Sequence, residues 1–219
     1  PTLCIAARSG MPTLRVAYFF SGISRRASIA QSLKKLCADA GYGLEFTEVD
    51  ILVGGKDHDL FDKAKQEEFL QQVEAGAYHM NILSPPCGTW SRANWANKAG
   101  PQPCRDRQHP WGLPPDKFKP EVRARQLDRA ADGNEFVHFS VGVIRASAAA
   151  RAKGHFSRSL LEHPEDLGRV PSGEPASIWQ LNDVRQAHGK SVFWSVAGHQ
   201  CQFPNCDRKK PTRLLSDLE

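Results

Sequence analysis

The stretch Met80-Asn81-Ile82-Leu83-Ser84-Pro85-Pro86-Cys87 is an apolar run that ends abruptly in two prolines and a cysteine. The run Met80–Leu83 predicts a short buried strand. Proline fixes φ at about −65° and donates no backbone hydrogen bond, so the strand must stop there. Cys87 is then held on a stiff loop at the carboxyl end of the strand, where open α/β sheets bind ligands. This placement favours a nucleophile, and the alternative is a buried, inert thiol.

Outward from this stretch, short apolar runs alternate with amphipathic segments. The apolar runs predict strands at 14–20, 44–51, 78–83, 159–162, 191–196 and 213–218. Helices are predicted at 24–40, 63–75, 121–153 with a break near Gly133, and 176–188. Such alternation predicts an α/β fold with a mostly parallel, doubly wound sheet. The loop at 85–119 is long for a compact domain, which favours a functional or mobile segment.

Length and composition bound the class of protein. The 219 residues fit one domain with a sizeable core. No apolar run approaches the roughly 18 residues of a membrane span, so no membrane partner is expected. The six cysteines show no close repeated spacing and are interpreted as reduced thiols of an intracellular protein. Residues 1–13 are expected to be an N-terminal extension or a cloning remnant that precedes the core at 14–219.

The formal net charge is +5, from 29 Lys and Arg against 24 Asp and Glu. In the segments 105–125 and 208–213, fewer acidic residues lie among the basic residues than elsewhere in the chain. Basic segments favour a polyanion such as DNA or RNA, because each phosphate contact releases counterions. The alternative is a set of solvated helix faces, since acidic residues are interleaved through most of the chain.

Polar or flexible residues follow three other predicted strands. The turn Phe20-Ser21-Gly22-Ile23 after the first strand lets a ligand approach the backbone, although a single glycine is not a dinucleotide fingerprint. Asp50 ends the second strand, where a carboxylate can accept hydrogen bonds from a ribose; the alternative is a helix cap or a surface acid. Glu162 ends the fourth and is followed by His163 and Pro164, which repeats the arrangement around Cys87 on what should be a neighbouring strand. The alternative for Glu162 is a structural acid.

Two of these motifs carry a resemblance. Pro85-Pro86-Cys87 and Glu162-His163-Pro164, in this order, resemble the nucleophile and glutamate motifs of the DNA cytosine-5 methyltransferases. Phe20-Ser21-Gly22 resembles the first cofactor motif of that family. The tail from Gln200 to Arg213 resembles a variant found in methyltransferase-like sequences of retroelements, viruses and algae.

The resemblance implies a Rossmann-like class I methyltransferase that uses S-adenosylmethionine to methylate C5 of cytosine in DNA. Cys87 would add to C6 of the base so that C5 can attack a methyl sulfonium, and Glu162 would hydrogen-bond the N3 and amino edge. Arg213 would contact an oxyanion or a phosphate. The target base would be turned out of the stack. The implied nucleic-acid contacts are Trp90, Ser91, Arg92, Arg105 and Arg107.

The resemblance also implies a set of cofactor contacts. These are Phe20, Ser21, Gly22, Ile23, Asp50, Ile51, Asp59 and Pro85. In this set Asp50 aligns with the ribose-binding acid, and Asp59 matches the acid that contacts the adenine amino group. Two positions depart from the family pattern: Ser24 stands where a further glycine is usual, and His163 stands where asparagine is usual.

The core at 14–219 lacks a target-recognition domain, so a further domain or subunit is expected to supply specificity. DNA is the expected partner and RNA the alternative, with a nuclear location if the source is eukaryotic. An inactive methyltransferase-like binding domain is a competing interpretation. A zinc module of His199, Cys201 and Cys206, with Cys104 or His109, is another, although no close C-x₂-C pair is present. A thiol hydrolase is less favoured, because no oxyanion-loop signature is found.

Overall fold

The computed structural model describes residues 2–4, 11–23, 28–96, 101–189, 192–202 and 209–218. Its centre is a seven-stranded sheet with the order β1-β3-β2-β4-β5-β7-β6. The strands are β1 (Thr2–Cys4), β2 (Thr13–Phe19), β3 (Gly43–Val49), β4 (Met80–Leu83), β5 (Arg158–Pro164), β6 (Trp194–His199) and β7 (Pro211–Ser216). Helices pack on both faces of this sheet, so the predicted α/β, doubly wound architecture is confirmed.

Strand direction is mostly parallel, as predicted. The four strands β3, β2, β4 and β5 pair in parallel. β7 runs antiparallel to both β5 and β6, so β6 points the same way as the central four. β1 lies within the segment 1–13 and pairs antiparallel with β3 at one edge. The sheet therefore has one common carboxyl edge for its central strands.

The order of the strands reverses at β2. The chain passes from β2 to β3 on one side and later returns to place β4 on the other side. In open α/β sheets, ligands bind in the crevice beyond the carboxyl ends of the strands at such a switch point. The loops that follow β2 and β4 flank this crevice, and these are the loops that begin at Phe20 and Ser84.

Six α-helices surround the sheet in the described residues. They are α1 (Ile29–Asp39), α2 (Ile51–Gly54), α3 (Lys63–Glu74), α4 (Ala93–Ala96), α5 (Pro120–Ala152) and α6 (Asn182–Arg185). α1 covers one face, where Ala30 and Cys37 pack against Val16, Phe46 and Ile82. α3 and α5 cover the other face in a larger cluster that includes Phe19, Phe69 and Phe139. The two apolar clusters explain why the central strands are buried on both sides.

Helix α5 is continuous over 33 residues, so the predicted break near Gly133 is wrong. Gly133 is needed there because other side chains come very close to its backbone. A Cβ at this position would lie 2.4 Å from Thr89 Oγ1 and 3.0 Å from Arg105 Nη2. Further along the helix, Phe136 and Phe139 pack on Phe20 at the end of β2. The helix N-terminal to Phe136 therefore extends beyond the carboxyl edge of the sheet.

The predicted helix at 176–188 is also wrong. That segment holds only a 3₁₀ turn, Ile178–Gln180, and the short helix α6. Ser177 caps the turn by accepting a hydrogen bond from Trp179 N, and Gln180 Oε1 accepts one from Ser177 N. The buried apolar residues recur mostly every three positions, which suits 3₁₀ turns better than an α-helix; they are Ala176, Ile178, Leu181, Val184 and Ala187.

The remaining predicted boundaries shift by a few residues. The strand predicted at 191–196 lies at Trp194–His199, and the last strand lies at Pro211–Ser216. The first helix begins at Ile29 with Ser28 as its cap, and the predicted start at 24–27 falls outside the described residues. No helix of the described segments is both long enough and apolar enough to span a membrane.

Candidate active site

Cys87 follows the carboxyl end of β4, and Glu162 lies near the carboxyl end of the neighbouring parallel strand β5. The register pairs Leu83 of β4 with Leu161 of β5, so Glu162 and Ser84 are the next positions on adjacent strands. Cys87 follows Ser84 after the two prolines and is half-buried. The Glu162 side chain is 22% exposed. Both groups therefore reach the same edge of the sheet, and neither is enclosed in hydrocarbon.

Three polar residues that sequence reasoning did not single out surround Glu162. Lys210 Nζ lies 3.4 Å from Glu162 Oε1. Tyr18 donates a hydrogen bond from its hydroxyl to Ser84 Oγ at 3.3 Å. Burial raises the pKa of Tyr18, and the nearby charge of Glu162 acts in the same direction, so this phenol remains protonated. Lys210 lies in the basic run before Pro211, which was the available signal for it.

Two hydrogen bonds to backbone carbonyls hold the Cys87 loop in a tight turn. Trp90 N donates to Cys87 O at 3.0 Å, and Asn94 Nδ2 donates to Gly88 O at 2.8 Å. Ser91 Oγ accepts a hydrogen bond from Ala93 N at the start of α4. Ser91 is therefore engaged in ordering the loop, although its exposed surface still borders the cleft described below.

Trp90 and Arg105 are buried, which corrects the prediction that they contact nucleic acid. Trp90 is 4% exposed and Arg105 is 1% exposed. The Arg105 guanidinium lies over the Trp90 ring at 3.7 Å and donates to the carbonyls of Pro110 and Ala130. A third acceptor is Asn134 Oδ1, at 2.8 Å. Because its contacts are internal, this cation cannot reach a phosphate on the surface.

Arg213 and Arg107 form ion pairs with acidic residues of the chain. Arg213 donates from Nε and Nη2 to the Glu165 carboxylate at 2.9–3.0 Å. The register places Arg213 opposite His163 and Leu214 opposite Glu162, so Arg213 points away from the Glu162 side of the sheet. Arg107 pairs with Asp166. Arg213 thus braces the strand ends, and the structure gives no support for its predicted catalytic contact.

A cleft opens beside this group of residues. It is lined by residues 90–92, 164–168, 175–177 and 210–211. Its two carboxylates, Glu165 and Asp166, are neutralised by Arg213 and Arg107 as described above. With the ion-pair partners included, the cations Arg92, Lys210, Arg107 and Arg213 outnumber the carboxylates Glu162, Glu165 and Asp166 by one, so the cleft suits an anion. Lys210 also contacts Glu162, which connects the cleft to the candidate catalytic group.

His163, next to Glu162, is buried as a neutral ring. It is 1% exposed and lies between the rings of Trp90 and Trp179, with centroids 6.5 Å and 6.3 Å away. Burial, together with the charges of Lys210 and Arg105, lowers the pKa of His163 to about 3. The histidine that replaces the usual asparagine therefore serves as packing beneath the site and is not a proton carrier near neutral pH.

The buried His163 predicts a pH dependence of stability. Between about pH 6.5 and pH 3 the unfolded chain protonates this imidazole and the folded chain does not, so the free energy of unfolding falls as the pH falls. We expect His163→Asn to remove about 2 kcal/mol of the loss between pH 6.5 and pH 5. Urea unfolding of both proteins at each pH measures this difference. An identical pH dependence in the variant would contradict the assignment.

The loop after β2 combines a strained residue with a backbone link to Asp50. Phe20 has φ 61° and Gly22 has φ 64°, the left-handed region that costs energy for a side chain other than glycine. Gly22 N donates to Asp50 Oδ2 at 2.9 Å. Asp50 Oδ1 accepts from Leu52 N, also at 2.9 Å, and so caps α2. Asp50 is therefore a helix cap, the alternative that the sequence offered, and also a loop anchor, which the sequence did not indicate.

The predicted cofactor residues lie together around this loop. A carboxylate has about four acceptor positions, so Asp50 keeps capacity for further hydrogen bonds. The large apolar side chains next to Gly22 and Asp50 are unusually exposed; they are Ile23 (66%), Ile51 (51%) and Leu52 (67%). Pro85 follows the neighbouring strand β4 and is buried, and Ser84 N donates to Phe19 O, which extends the pairing of β2 with β4 to the edge of the sheet.

Asp59 lies beyond α2 and its carboxylate is partly used. Its Oδ1 accepts a hydrogen bond from Phe61 N at 3.0 Å. Phe61 is 49% exposed and packs on Phe136 of α5, with ring centroids 4.5 Å apart. Phe61 is thus a further exposed apolar side chain in the segment of the predicted adenine site, and sequence reasoning missed it because an aromatic after an acid has no distinctive pattern.

The predicted zinc ligands are not gathered in the described residues. Among those residues, no group of three or more His, Cys, Asp or Glu side chains could hold a metal ion. Cys104 is fully buried in a small apolar cluster with Phe118 and Ala130. Cys206, like Ser24, Arg25, Arg26 and Arg208, lies outside the described residues.

No family model, no curated protein and no solved structure matches the chain. Its function must therefore be argued from the geometry of the site.

Proposed function

We propose that this chain is a Rossmann-like class I methyltransferase that transfers a methyl group from S-adenosylmethionine to C5 of cytosine in DNA. The observation that carries the proposal is the pairing of β4 with β5. Through it, a thiol held by two prolines and a carboxyl group occupy the ends of neighbouring strands, next to the switch point of the sheet. Nucleophile and acid at one strand edge are what addition to a pyrimidine ring requires.

The residues divide the chemistry between them. The Cys87 thiolate adds to C6 of the cytosine, so the C5=C6 electron pair moves to C5 and makes it nucleophilic. Glu162 hydrogen-bonds the N3 and amino edge, which stabilises the charge that enters the ring. After the transfer, the C5 proton leaves to a base and the S–C6 bond breaks, which restores the aromatic ring and the free thiolate. The methyl group itself is what S-adenosylmethionine supplies when it is bound.

The loop after β2 fits such a cofactor. The remaining acceptor positions of Asp50 suit a ribose diol, and the exposed side chains of Ile23, Ile51 and Leu52 suit the faces of an adenine ring. The strained Phe20 and the glycine at 22 leave the backbone open to a close approach.

The partner is proposed to be DNA, with a further domain or subunit that reads the sequence. The cleft that contains Arg92 and Lys210 supports a polyanion, because its carboxylates are already neutralised. RNA would satisfy the same charge, so DNA and RNA duplexes and single strands should be compared as methyl acceptors. Transfer of labelled methyl groups to cytosine in DNA supports the proposal, and incorporation into neither polymer contradicts it.

The Asp50 assignment has a specific test, because this residue also caps α2. We expect Asp50→Asn to keep the cap, since asparagine caps helices as well as aspartate, and to weaken S-adenosylmethionine binding by about tenfold through loss of the charged acceptor and of the hydrogen bond from Gly22 N. Asp50→Ala should in addition lose about 1 kcal/mol of stability. Calorimetric titration and urea unfolding separate the two effects. Unchanged cofactor affinity in Asp50→Asn would refute the role of this residue.

A further inference from the structure

The most costly feature near the site is the buried cation Arg105. Its oxygen acceptors are neutral: the carbonyls of Pro110 and Ala130 and the Asn134 amide oxygen, at 2.8–2.9 Å. Burial lowers the pKa of Arg105 to about 10, so the guanidinium is still charged at neutral pH. Burying a cation costs free energy that an apolar side chain of similar volume would not. Core packing alone does not account for an arginine here.

The surface that Arg105 contacts is the face of Trp90, and Trp90 connects the two candidate catalytic groups. Arg105 Cζ lies 3.7 Å from the centre of the indole. On another side, the Trp90 ring meets His163, the residue next to Glu162 on β5. The backbone of Trp90 donates to Cys87 O and so closes the turn that carries the thiol. Arg105 therefore contacts a residue whose backbone closes the Cys87 turn and whose side chain meets His163 on the Glu162 strand.

Helix α5 packs against Arg105 and Trp90. Its Gly133 leaves room for three side chains whose polar atoms would lie within 3.4 Å of a Cβ there: Thr89 Oγ1, Arg105 Nη2 and Trp90 Nε1. Ala130 O and Asn134, which bind Arg105, flank Gly133 on the same helix. Helix α5 therefore contacts both Arg105 and the residues Thr89 and Trp90, which follow Cys87.

We propose that Arg105 is a positioning residue that fixes the Cys87 turn relative to Glu162 by clamping Trp90 between α5 and His163. The catalytic role in this inference rests on the proposed function. The clamp itself concerns only the position and rigidity of the Cys87 turn. A displacement of about 1 Å in a reacting group can lower a rate by about 10²-fold. A rigid turn that needs no ordering step upon substrate binding would justify the cost of the buried cation.

Gly133→Ala tests the clamp, and Gly142→Ala is the matched control in the same helix. An alanine at 142 meets only the flexible end of Leu70, at 3.2 Å, whereas one at 133 meets Thr89 at 2.4 Å. We expect Gly133→Ala to raise the rate of Cys87 alkylation by iodoacetamide at least threefold, with Cys201 in the same sample as an internal reference. We expect it also to lower kcat for methyl transfer by about 10²-fold with KM for the cofactor unchanged. The double variant Thr89→Ala/Gly133→Ala removes the closest obstacle, so its alkylation rate and its kcat should return most of the way to the wild-type values. Arg105→Lys keeps the charge but loses the planar fork of the guanidinium, so it should behave like Gly133→Ala.

The measured outcomes separate the clamp from the proposed function. Alkylation of Cys87 needs no substrate, so a chain that methylates nothing can still show the effect of Gly133→Ala on the thiol. If Gly133→Ala does not fold, the comparison passes to Arg105→Lys and to the double variant. Alkylation and kcat in Arg105→Lys that equal those of the wild-type chain would overturn the clamp, even where methyl transfer by the wild-type chain is established.

Discussion

Replacing Cys87 with serine should reduce methyl transfer to below about 10⁻³ of the wild-type rate, because the hydroxyl is a far weaker nucleophile toward C6 of the pyrimidine. The fold should be unaffected. The turn is closed by the carbonyl of Cys87 and the N–H of Trp90, and neither involves the sulfur. Single-turnover transfer to a cytosine-containing duplex measures the rate, and urea unfolding measures the stability.

Cys201 provides the control for this substitution. It is a free, half-buried thiol in the 3₁₀ turn Gln200–Gln202, which follows β6. Cys201→Ser should therefore transfer methyl groups at the wild-type rate. Full activity in Cys87→Ser would remove this residue as the nucleophile, and equal losses in both variants would point to a general sensitivity to thiol replacement.

Glu162→Gln should lower the single-turnover rate by about 10²-fold or more, the usual scale for one acid–base group. Glutamine keeps the shape of the side chain but cannot share a proton with N3 of the base. Stability should change by less than about 1 kcal/mol, because the pair with Lys210 is partly exposed to solvent. The affinity for S-adenosylmethionine should remain at its wild-type value.

Lys210→Gln separates the chemistry from the ion pair. Both substitutions break the contact of 3.4 Å between Lys210 Nζ and Glu162 Oε1. Only Glu162→Gln removes the acid. If Lys210→Gln reproduces the full loss of rate, the pair matters more than the carboxyl group, and the role assigned to Glu162 is incorrect. A loss in the lysine variant that is limited to nucleic-acid binding agrees with its place in the cleft.

Six of the seven strands, all except β1, could be predicted from sequence. Proline stops a strand by a local rule, so the exit after Leu83 and the position of Cys87 did not depend on tertiary packing. The predicted end of the next strand at Glu162 is wrong by two residues, because β5 continues to Pro164, which pairs with Thr212 of β7. Which strands become neighbours is not a local property, but the repeated motif predicts that Glu162 and Cys87 follow neighbouring strands, and the pairing of β4 with β5 confirms this.

Arg105 and Trp90 are expected from sequence to contact nucleic acid, but the structure buries both. Sequence reports the charge of Arg105 but not its burial, and a basic segment was interpreted as a phosphate surface. In the structure the aromatic face of Trp90 and three backbone or amide oxygens outweigh the preference of this cation for water. Gly133 was misjudged for a related reason, because the close contact that requires it comes from the loop residue Thr89.

The segment at 176–188 shows the limit of periodicity as a signal. The spacing of mostly three residues between its apolar positions is also compatible with one face of an α-helix, the structure that the sequence predicts. It instead marks successive tight turns, in which Ile178 and Val184 fill the core cluster beneath the sheet. Asp50 had a similar ambiguity: a helix cap and a ribose acceptor need the same residue at the same place, and the structure shows the cap directly.

The most direct test of the account is a mass spectrum of the chain mixed with S-adenosylmethionine and an oligonucleotide that contains 5-fluorocytosine. Fluorine at C5 cannot leave as a proton does, so the S–C6 bond persists after the methyl transfer. We predict a covalent complex whose digestion gives a methylated fluorocytosine on the peptide that contains Cys87, and no complex with Cys87→Ser. A complex on another cysteine, or methylated DNA from the natural substrate with no complex formed, would contradict it.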